Sequence, residues 1–203
     1  MTILLATNNP HKSEEIRAIL ADLPELDVRT PSDLGLTLTE PVEDGETLEA
    51  NAWIKAKEIH DATGLPVIAD DTGLEVAALD GAPGVYSARF AGEGATYADN
   101  CALLLERMSE AADRSARFRT VICYVDAFRT LFAEGEIEGE IIEEADGEGG
   151  FGYDPIFRPS DSAKTFAAMT SAEKNAVSHR ARALSAMRAQ LERFINDAET
   201  HDA

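Results

Sequence analysis

The sequence predicts an α/β fold built on a mixed β-sheet. Short apolar runs at Thr2–Thr7 and Leu65–Ala69 end in polar residues, which is typical of buried strands. Apolar residues at three- and four-residue spacing between His11 and Leu23 indicate a helix that separates these strands. Two strand-like runs, Arg117–Asp126 and Thr130–Ile137, follow one another and predict an adjacent antiparallel pair. Helices between strands, together with one antiparallel pair, require a sheet of mixed direction.

The remaining elements of the N-terminal third follow the same alternation. Leu26–Thr30 predicts a second strand. Glu46–Thr63 predicts a helix that Gly64 closes as a C-terminal cap. The strand at Leu65–Ala69 should then run into a turn formed by Asp70-Asp71-Thr72-Gly73, because Asp, Thr and Gly are favoured turn residues.

The rest of the chain predicts two loops and two more helices. Residues 78–95 are rich in glycine and predict a loop, after which Thr96–Met108 predicts a helix that starts with a capping box. Glu148–Tyr153 predicts a second glycine-rich loop, and Pro155–Phe157 predicts a brief strand. Ser171 is expected to cap one long final helix. The apolar stripe of that helix is Val177, Ala181, Leu184, Met187, Leu191 and Phe194.

Composition and charge exclude several classes of protein. No repeat or linker-like stretch interrupts the chain, so we expect a single domain spanning residues 1–203. The 38 acidic and 18 basic residues give a net charge of −20, which repels nucleic acid and anionic membranes. The longest apolar runs fall short of the roughly 20 residues that cross a bilayer. Cys101 and Cys123 form neither a disulfide framework nor a metal-binding spacing. We therefore expect a cytoplasmic protein that binds neither nucleic acid nor membranes.

The acidic excess has two interpretations. It can simply keep the protein soluble, or, as a hypothesis, it can be an adaptation to high salt, where a carboxylate-rich and lysine-poor surface stays hydrated. A melting series in KCl separates them, because only the second predicts stabilisation at molar salt. In either case an anionic substrate needs a locally positive pocket or a bridging cation.

The turn after the first strand is a candidate phosphate site. Thr7-Asn8-Asn9-Pro10-His11-Lys12 lies between a strand and a helix, where backbone N–H groups and the positive helix end face a ligand. Lys12 adds a point charge, and Thr7 and Asn9 add hydrogen bonds. An ordinary connection with a solvent-exposed lysine is the alternative that the spacing leaves open.

Two adjacent carboxylates form the strongest local signal. Asp70 and Asp71 directly follow a buried strand, and such a pair is costly unless a cation or hydrogen-bond donors compensate it. Mg²⁺ typically binds one or two carboxylates together with substrate phosphates and water. Glu43 could supply a second oxygen ligand, and Lys55 could reach a phosphate. The alternatives are a turn in which one aspartate caps a backbone N–H, a solvated Glu43, and a Lys55 that only pairs with neighbours on its own helix.

A third group of residues suits an aromatic base. The glycines around Phe151 let the backbone approach a ligand while the ring offers a stacking face, and Asp154 could accept a hydrogen bond from a purine N–H. Lys174 extends the apolar stripe of the final helix, so it points either to solvent or into a cleft. His179 and Arg180 offer donors to a carbonyl oxygen. A hairpin loop with a core phenylalanine and a solvated basic turn are the alternatives.

In this order the segments resemble the inosine triphosphate pyrophosphatase family. The resemblance extends over nearly the whole chain. It rests on Ala6–Lys12, Glu49–Ala52 with Lys55-Ala56, Ala69–Leu74, Gly81–Arg89, Gly150–Phe157, and Glu173-Lys174 with Ser178–Arg180.

The resemblance implies a fold and an activity. The fold is an elongated mixed β-sheet with flanking helices that form two lobes around a central cleft, usually in a homodimer. The activity is Mg²⁺-dependent hydrolysis of ITP, dITP or XTP to the monophosphate and pyrophosphate. Asp71 is the implied catalytic base and, with Glu43, the implied metal ligand. The implied substrate-binding residues are Thr7, Asn8, Asn9, Pro10, His11, Lys12, Lys55, Thr72, Phe151, Gly152, Tyr153, Asp154, Lys174, His179 and Arg180.

Two segments depart from the family pattern, and the assignment of Glu43 rests on a short, poorly patterned stretch. Asn8 and the Pro10-His11 pair stand where many members have a glycine-rich turn, and Thr72 replaces a commoner serine while keeping the hydroxyl. Two other functions remain possible: a Maf-type pyrophosphatase for modified pyrimidine nucleotides, and a non-catalytic nucleotide- or Mg²⁺-binding regulator. The Phe151 loop and the His179-Arg180 pair argue against the first, and the presence of every implied catalytic position argues against the second.

Overall fold

The fold of the chain is described from a computed structural model. It covers residues 2–7, 9–21, 26–39 and 41–201, without the side chains of residues 194–201. The predicted phosphate residue Asn8 and the end of the first predicted helix at Leu23 lie outside the described residues, as does the side chain of Phe194. None of the helices in this part of the chain combines the length and apolar character needed to cross a bilayer.

The described residues contain a seven-stranded mixed sheet. The strand order is β2-β1-β3-β5-β6-β7, with β4 paired to β3. β1 is parallel to both β2 and β3. β4 is antiparallel to β3, and β7 is antiparallel to β6. A short connection joins β5 to β6, which makes that pair antiparallel as predicted. The strands are β1 (Thr2–Leu5), β2 (Asp27–Arg29), β3 (Val67–Val76), β4 (Pro83–Gly84), β5 (Ser115–Val125), β6 (Thr130–Ile141) and β7 (Phe157–Pro159).

The helices begin at the capping residues that local chemistry favours. Asn9 caps the first helix, and Thr96 caps the third through the predicted capping box with Asp99. Gly64 ends the second helix in the left-handed conformation at φ 69°, as predicted. The α-helices of the described residues are α1 (Pro10–Leu20), α2 (Leu48–Thr63), α3 (Tyr97–Arg107), α4 (Ser171–Val177) and α5 (His179–His201).

The chain divides into two compact units, each with its own core. The first comprises Met1–Asp71, Val121–Gly135 and Arg180–Ala203. Its core packs β1, α1 and α5 side chains around Ile68 and Ile122. The second comprises Thr72–Thr120 and Glu136–His179. Its core is aromatic, with Phe118, Phe157 and Phe166 packed together. The single-domain organisation and the central cleft stay predictions.

Two predicted features are wrong. The Asp70–Gly73 segment is not a turn, because β3 continues through it to Val76. The final helix is capped by Thr170 and not by Ser171, and it breaks at Ser178, whose backbone is extended at ψ 156°. Lys174 and Arg180 therefore belong to different helices. The break lies where the chain passes from the second unit to the first.

Candidate active site

The N-terminus of α1 is organised by Asn9. Its Oδ1 accepts hydrogen bonds from the backbone N–H groups of His11 (3.0 Å) and Lys12 (3.3 Å). The N–H of Asn9 in turn donates to Thr7 Oγ1 at 3.1 Å. Pro10 occupies the first helical turn, where its missing N–H costs nothing. These contacts stabilise the turn that precedes α1. Among the predicted phosphate residues, Lys12 extends its side chain to the sheet, where it pairs with Asp70.

A chain of ion pairs surrounds Asp70 in the first unit. Lys12 Nζ lies 3.0 Å from Asp70 Oδ2, and the guanidinium of Arg180 contacts the same oxygen at 3.2 Å. Arg180 also pairs with Glu15. Asp70 and Arg180 are buried, each with a side chain only 1% exposed. The Asp70 carboxylate can be buried within β3 because the charges of Lys12 and Arg180 compensate it.

Burial and charge act in opposite directions on these groups. Burial raises the pKa of Asp70, but the charges of Lys12 and Arg180 outweigh it and hold that pKa well below its usual range. For Lys12, burial dominates and lowers the pKa against the attraction of Asp70. Asp70 is therefore a permanent anion, and its role is to hold the two cations.

A second group in the first unit brings Asp71, Lys55 and Glu43 together. Lys55 Nζ lies 3.0 Å from Asp71 Oδ1 and 2.9 Å from Glu43 Oε2. Burial raises the pKa of Asp71, which Lys55 only partly opposes. Burial lowers the pKa of Lys55, but Asp71 and Glu43 outweigh it and raise that pKa. Lys55 thus pairs with the predicted metal ligands and not with neighbours on α2.

The segment that carries Glu43 is tied to α2. The N–H of Gly45 donates to Asn51 Oδ1 at 2.8 Å, and Asn51 is itself buried. A Cβ at Gly45 would lie 2.7 Å from that oxygen and 2.8 Å from the Cβ of Ala50. Asn51 and Lys55 are one helical turn apart, so one face of α2 holds both the backbone and the carboxylate of this segment.

The carboxylates around Lys55 suit Mg²⁺. Glu43 and Asp71 direct oxygens at one ammonium, so their oxygens converge on a single cation position. Among the described residues no group of three or more His, Cys, Asp or Glu could hold a metal ion by itself. Mg²⁺ typically binds one or two carboxylates and takes its other ligands from phosphates and water, so two carboxylates are a sufficient contribution from the protein.

A buried ion pair in the second unit supports Phe151. Lys174 Nζ lies 2.7 Å from Asp154 Oδ2, with side chains only 6% and 4% exposed. Asp154 also accepts the N–H of Phe151 at 2.8 Å. The ammonium lies 4.7 Å from the centre of the Phe151 ring and 5.5 Å from that of Phe166, which is cation–π geometry. Lys174 is therefore buried and does not point to solvent, which was one of the two interpretations of its position.

Glycine geometry lets the Phe151 loop close on Asp154. Gly150 has φ 72° and Gly152 has φ 61°, in the left-handed region that side chains disfavour. A Cβ on Gly150 would lie 2.1 Å from Asp154 Oδ2, so the carboxylate occupies the place of a side chain. The loop backbone thus packs closely against Asp154, and its predicted approach to a ligand stays a prediction.

The other predicted base residues have structural contacts. The Tyr153 hydroxyl donates to the carbonyl of Ser87 at 2.9 Å. His179 is buried and stacks on Phe118, with ring centres 4.6 Å apart and planes at 13°. Thr72 Oγ1 lies 2.7 Å from Thr120 Oγ1 in the second unit. These contacts orient the three side chains, and their roles in binding a substrate stay predictions.

The structure thus gathers the predicted residues into two groups. The first unit holds Lys12, Lys55, Asp71 and Glu43, together with Arg180, which contacts Asp70 there and whose predicted role in binding the base stays a prediction. The second unit holds the base residues around Phe151. Sequence reasoning did not identify Glu15, the partner of Arg180. The only available signal was its position three residues after Lys12, which places both on one face of α1.

These features define a class of protein. Lysines and carboxylates gathered at the start of α1 and along β3 suit a phosphorylated ligand, and an aromatic loop with a buried cation suits a heterocycle. The fold and site are therefore those of an α/β nucleotide-handling protein. The chain belongs to the Ham1 family, whose pattern matches residues 3–190.

Curated relatives and solved structures agree with this assignment. A dITP/XTP pyrophosphatase of Desulfotalea psychrophila is 45% identical, with 95% of this chain and 86% of the relative covered. The dITP/XTP pyrophosphatase of Porphyromonas gingivalis is 47% identical, with 92% and 95% covered. The Ham1 protein of Staphylococcus aureus has a similar structure, with a TM-score of 0.85 at 38% identity and 95% and 98% covered. The family resemblance and the mixed α/β class are thus confirmed.

Proposed function

We propose that this protein hydrolyses ITP, dITP and XTP to the monophosphate and pyrophosphate, with Mg²⁺ as cofactor. The observation that carries the proposal is the convergence of Asp71 and Glu43 on the buried ammonium of Lys55. It occurs in a chain whose relatives are named dITP/XTP pyrophosphatases. Removal of such purine nucleotides cleanses the nucleotide pool.

Charge balance supports the need for a metal. In the first unit, three cationic side chains pair with four carboxylates through the contacts described above. This leaves no positive excess for a triphosphate with about four negative charges, in a protein of net charge −20. Bound Mg²⁺ would supply the missing positive charge and stabilise the charge of the leaving pyrophosphate. Glu43 and Asp71 would hold it.

Different residues of the chain bind the phosphates, position the binding groups and accept a proton. Lys12 and Lys55 bind phosphate oxygens and stabilise the charge that develops on pyrophosphate as it leaves. Thr7, Asn9 and Pro10 hold the turn that places Lys12, and Asn8 and His11 are assigned to phosphate binding by the family resemblance. Asp71 accepts the proton of the water that attacks the α-phosphorus.

The second unit is assigned to the purine. Phe151 offers a ring for stacking, and Gly152 lets the backbone approach. Lys174 is a donor group beside this loop, and a lysine ammonium can donate hydrogen bonds but cannot accept them. We assign His179, which lies in the same unit, as a second donor. A 6-oxygen satisfies such donors, whereas the 6-amino group of adenine leaves them unpaired. Sites built on such bonds discriminate by up to roughly 10⁴.

One assay tests the function and its rivals. Pyrophosphate release is measured from ITP, dITP, XTP, ATP, GTP and modified pyrimidine triphosphates, with Mg²⁺ and with EDTA. We expect release from the first three that disappears in EDTA. Equal turnover of ATP and ITP would refute the purine pocket, and a preference for modified pyrimidines would indicate the Maf-type activity. Binding of these nucleotides without any turnover would indicate a regulator.

Two further properties are proposed on the family resemblance. We infer a homodimer that acts in the cytoplasm, where nucleoside triphosphates are used. Sedimentation equilibrium tests the first, since a species of about twice the 21.9 kDa chain mass is expected. A single monomeric species at micromolar concentration would overturn it. Fractionation of the source cells tests the second.

A further inference from the structure

We propose that helix α3 positions the base-stacking loop, through Tyr97 acting on Phe151 and Cys101 acting on Gly152. The two are positioning residues for purine binding. This inference rests on the proposed function. It gives a role to α3, which contains none of the predicted site residues.

Both contacts come from one face of the helix. The Tyr97 and Phe151 rings lie 6.1 Å apart between centres, tilted by 45°, which is favourable aromatic pair geometry. The thiol of Cys101 donates to the carbonyl of Gly152 at 3.4 Å. Residues four apart share a helix face. Two neighbouring residues of the loop are therefore held by two neighbouring side chains of α3.

The thiol remains a donor under ordinary conditions. Burial raises the pKa of Cys101 to about 11, and the charge of Asp154 adds to the effect. The loop carbonyl therefore faces S–H and not a thiolate at neutral pH.

The helix is a rigid support at the point where it meets the loop. Tyr97 is the first residue of α3, directly after the Thr96 N-cap. The Thr96 Oγ1 accepts the N–H of Asp99, and the Asp99 carboxylate accepts the N–H of Thr96. Asn100, which is buried, accepts the N–H of Ala91 at 2.8 Å and so anchors the preceding loop as well. These contacts therefore fix the backbone at Tyr97 without any contribution from the base loop.

The loop itself needs such support. Gly150 and Gly152 lie on either side of Phe151, and glycine loses more conformational freedom on ordering than any other residue. Lys174 and Asp154 hold Phe151 through its ring face and its N–H. Tyr97 adds a contact from a separate helix. A ring that is already oriented spares the nucleotide the cost of ordering it.

The role predicts a specific kinetic signature. Stacking on an oriented ring contributes equally to the bound substrate and to the transition state, so its loss raises KM and leaves kcat unchanged. The effect is shared by dITP and XTP, because every base has a stacking face. It is absent for pyrophosphate, which has no base.

The experiment uses the full-length protein with Mg²⁺. We expect Tyr97→Ala to raise KM for dITP and for XTP by about three- to tenfold, the range set by an aromatic pair, with kcat within about twofold. IMP binding by calorimetry should weaken by the same factor, while the inhibition constant of pyrophosphate stays unchanged. Cys101→Ala should act in the same direction by about twofold, since a thiol is a weak donor. Tyr97→Phe should restore wild-type values.

Controls separate positioning from folding. Phe132→Ala removes an aromatic side chain of similar exposure, 44% against 45% for Tyr97, and should leave KM unchanged. If Tyr97→Ala does not fold, Tyr97→Leu replaces it and should raise KM in the same way. Unchanged KM and IMP affinity in these variants would overturn the proposal, as would equal weakening of pyrophosphate inhibition or failure of Tyr97→Phe to restore binding.

A separate result tests the proposed function. A wild-type protein that releases no pyrophosphate from dITP or XTP refutes the function. The IMP-binding comparison of wild type with Tyr97→Ala then still tests the role of α3 by itself.

Discussion

Removing one partner of the Lys174–Asp154 pair in the second unit should lower the free energy of unfolding by several kcal/mol. Lys174→Met keeps the aliphatic stem but leaves the Asp154 carboxylate, with a side chain 4% exposed, beside a neutral group. Removing one member of a buried pair costs about 3–5 kcal/mol, because the remaining charge has lost its compensation. The lost cation–π contact with Phe151 adds about 0.5–2 kcal/mol. We therefore expect the free energy of unfolding to fall by about 5 kcal/mol.

Urea unfolding followed by circular dichroism measures this loss. The matched control is Lys164→Met, since Lys164 also pairs with a carboxylate at 2.7 Å, that of Glu173, but both side chains are about half exposed. Exposed pairs contribute about 0–1 kcal/mol. The double variant Lys174→Met/Asp154→Asn should recover part of the loss, since it removes the orphaned charge and keeps an acceptor for the Phe151 N–H. A Lys174→Met variant as stable as Lys164→Met would refute the reasoning.

Three other predictions follow from the same contacts. Arg180→Met leaves Asp70 with less compensation and should cost about 3 kcal/mol in urea unfolding, whereas a loss below about 1 kcal/mol would contradict its burial. Gly45→Ala forces a Cβ to 2.7 Å from Asn51 Oδ1, so the Mg²⁺ concentration for half-maximal activity should rise several-fold; an unchanged Mg²⁺ titration would separate this segment from the metal. The two cysteine thiols have pKa values raised by burial to about 11 and about 12, so iodoacetamide at pH 8 should modify them at least about tenfold more slowly in the folded than in the urea-unfolded protein. Equal rates would contradict their burial.

Local signals predicted the helices and strands that depend on neighbours in sequence. The caps at Gly64 and Thr96 are set by residues within one helical turn, and both are confirmed. The course of β3 is set differently. Asp-Asp-Thr-Gly is good turn chemistry, but Lys12 and Arg180 reach Asp70 from distant parts of the chain and make an extended, buried carboxylate possible. No pattern within the segment records those partners.

The break in the final helix has a similar cause. The apolar stripe runs through Ser178 without interruption, and serine is tolerated inside helices, so periodicity predicts one helix. The break is instead associated with two non-local ion pairs, Lys174 with Asp154 and Arg180 with Asp70. Those partners belong to different units.

The site residues divide along the same line. Lys12 and Asp71 stand out in the sequence because each follows shortly after a buried apolar run, whereas the sequence gives Lys55 an equally good structural interpretation. The roles of all three in binding or catalysis stay predictions. Glu15 and Tyr97 do not stand out, because an acidic or aromatic residue on an exposed helix surface is ordinary in sequence. Their significance comes from what each contacts, which only the fold determines.

The role of Asp71 is the central claim, and one variant tests it most directly. Asp71→Asn keeps the shape of the side chain and should keep the fold, since Lys55 retains Glu43 as a partner. Pyrophosphate release from dITP is measured with saturating Mg²⁺, and circular dichroism confirms folding. The account predicts a loss of at least about a hundredfold in kcat, the low end for removing a general base. A folded Asp71→Asn variant with near-wild-type turnover would contradict it.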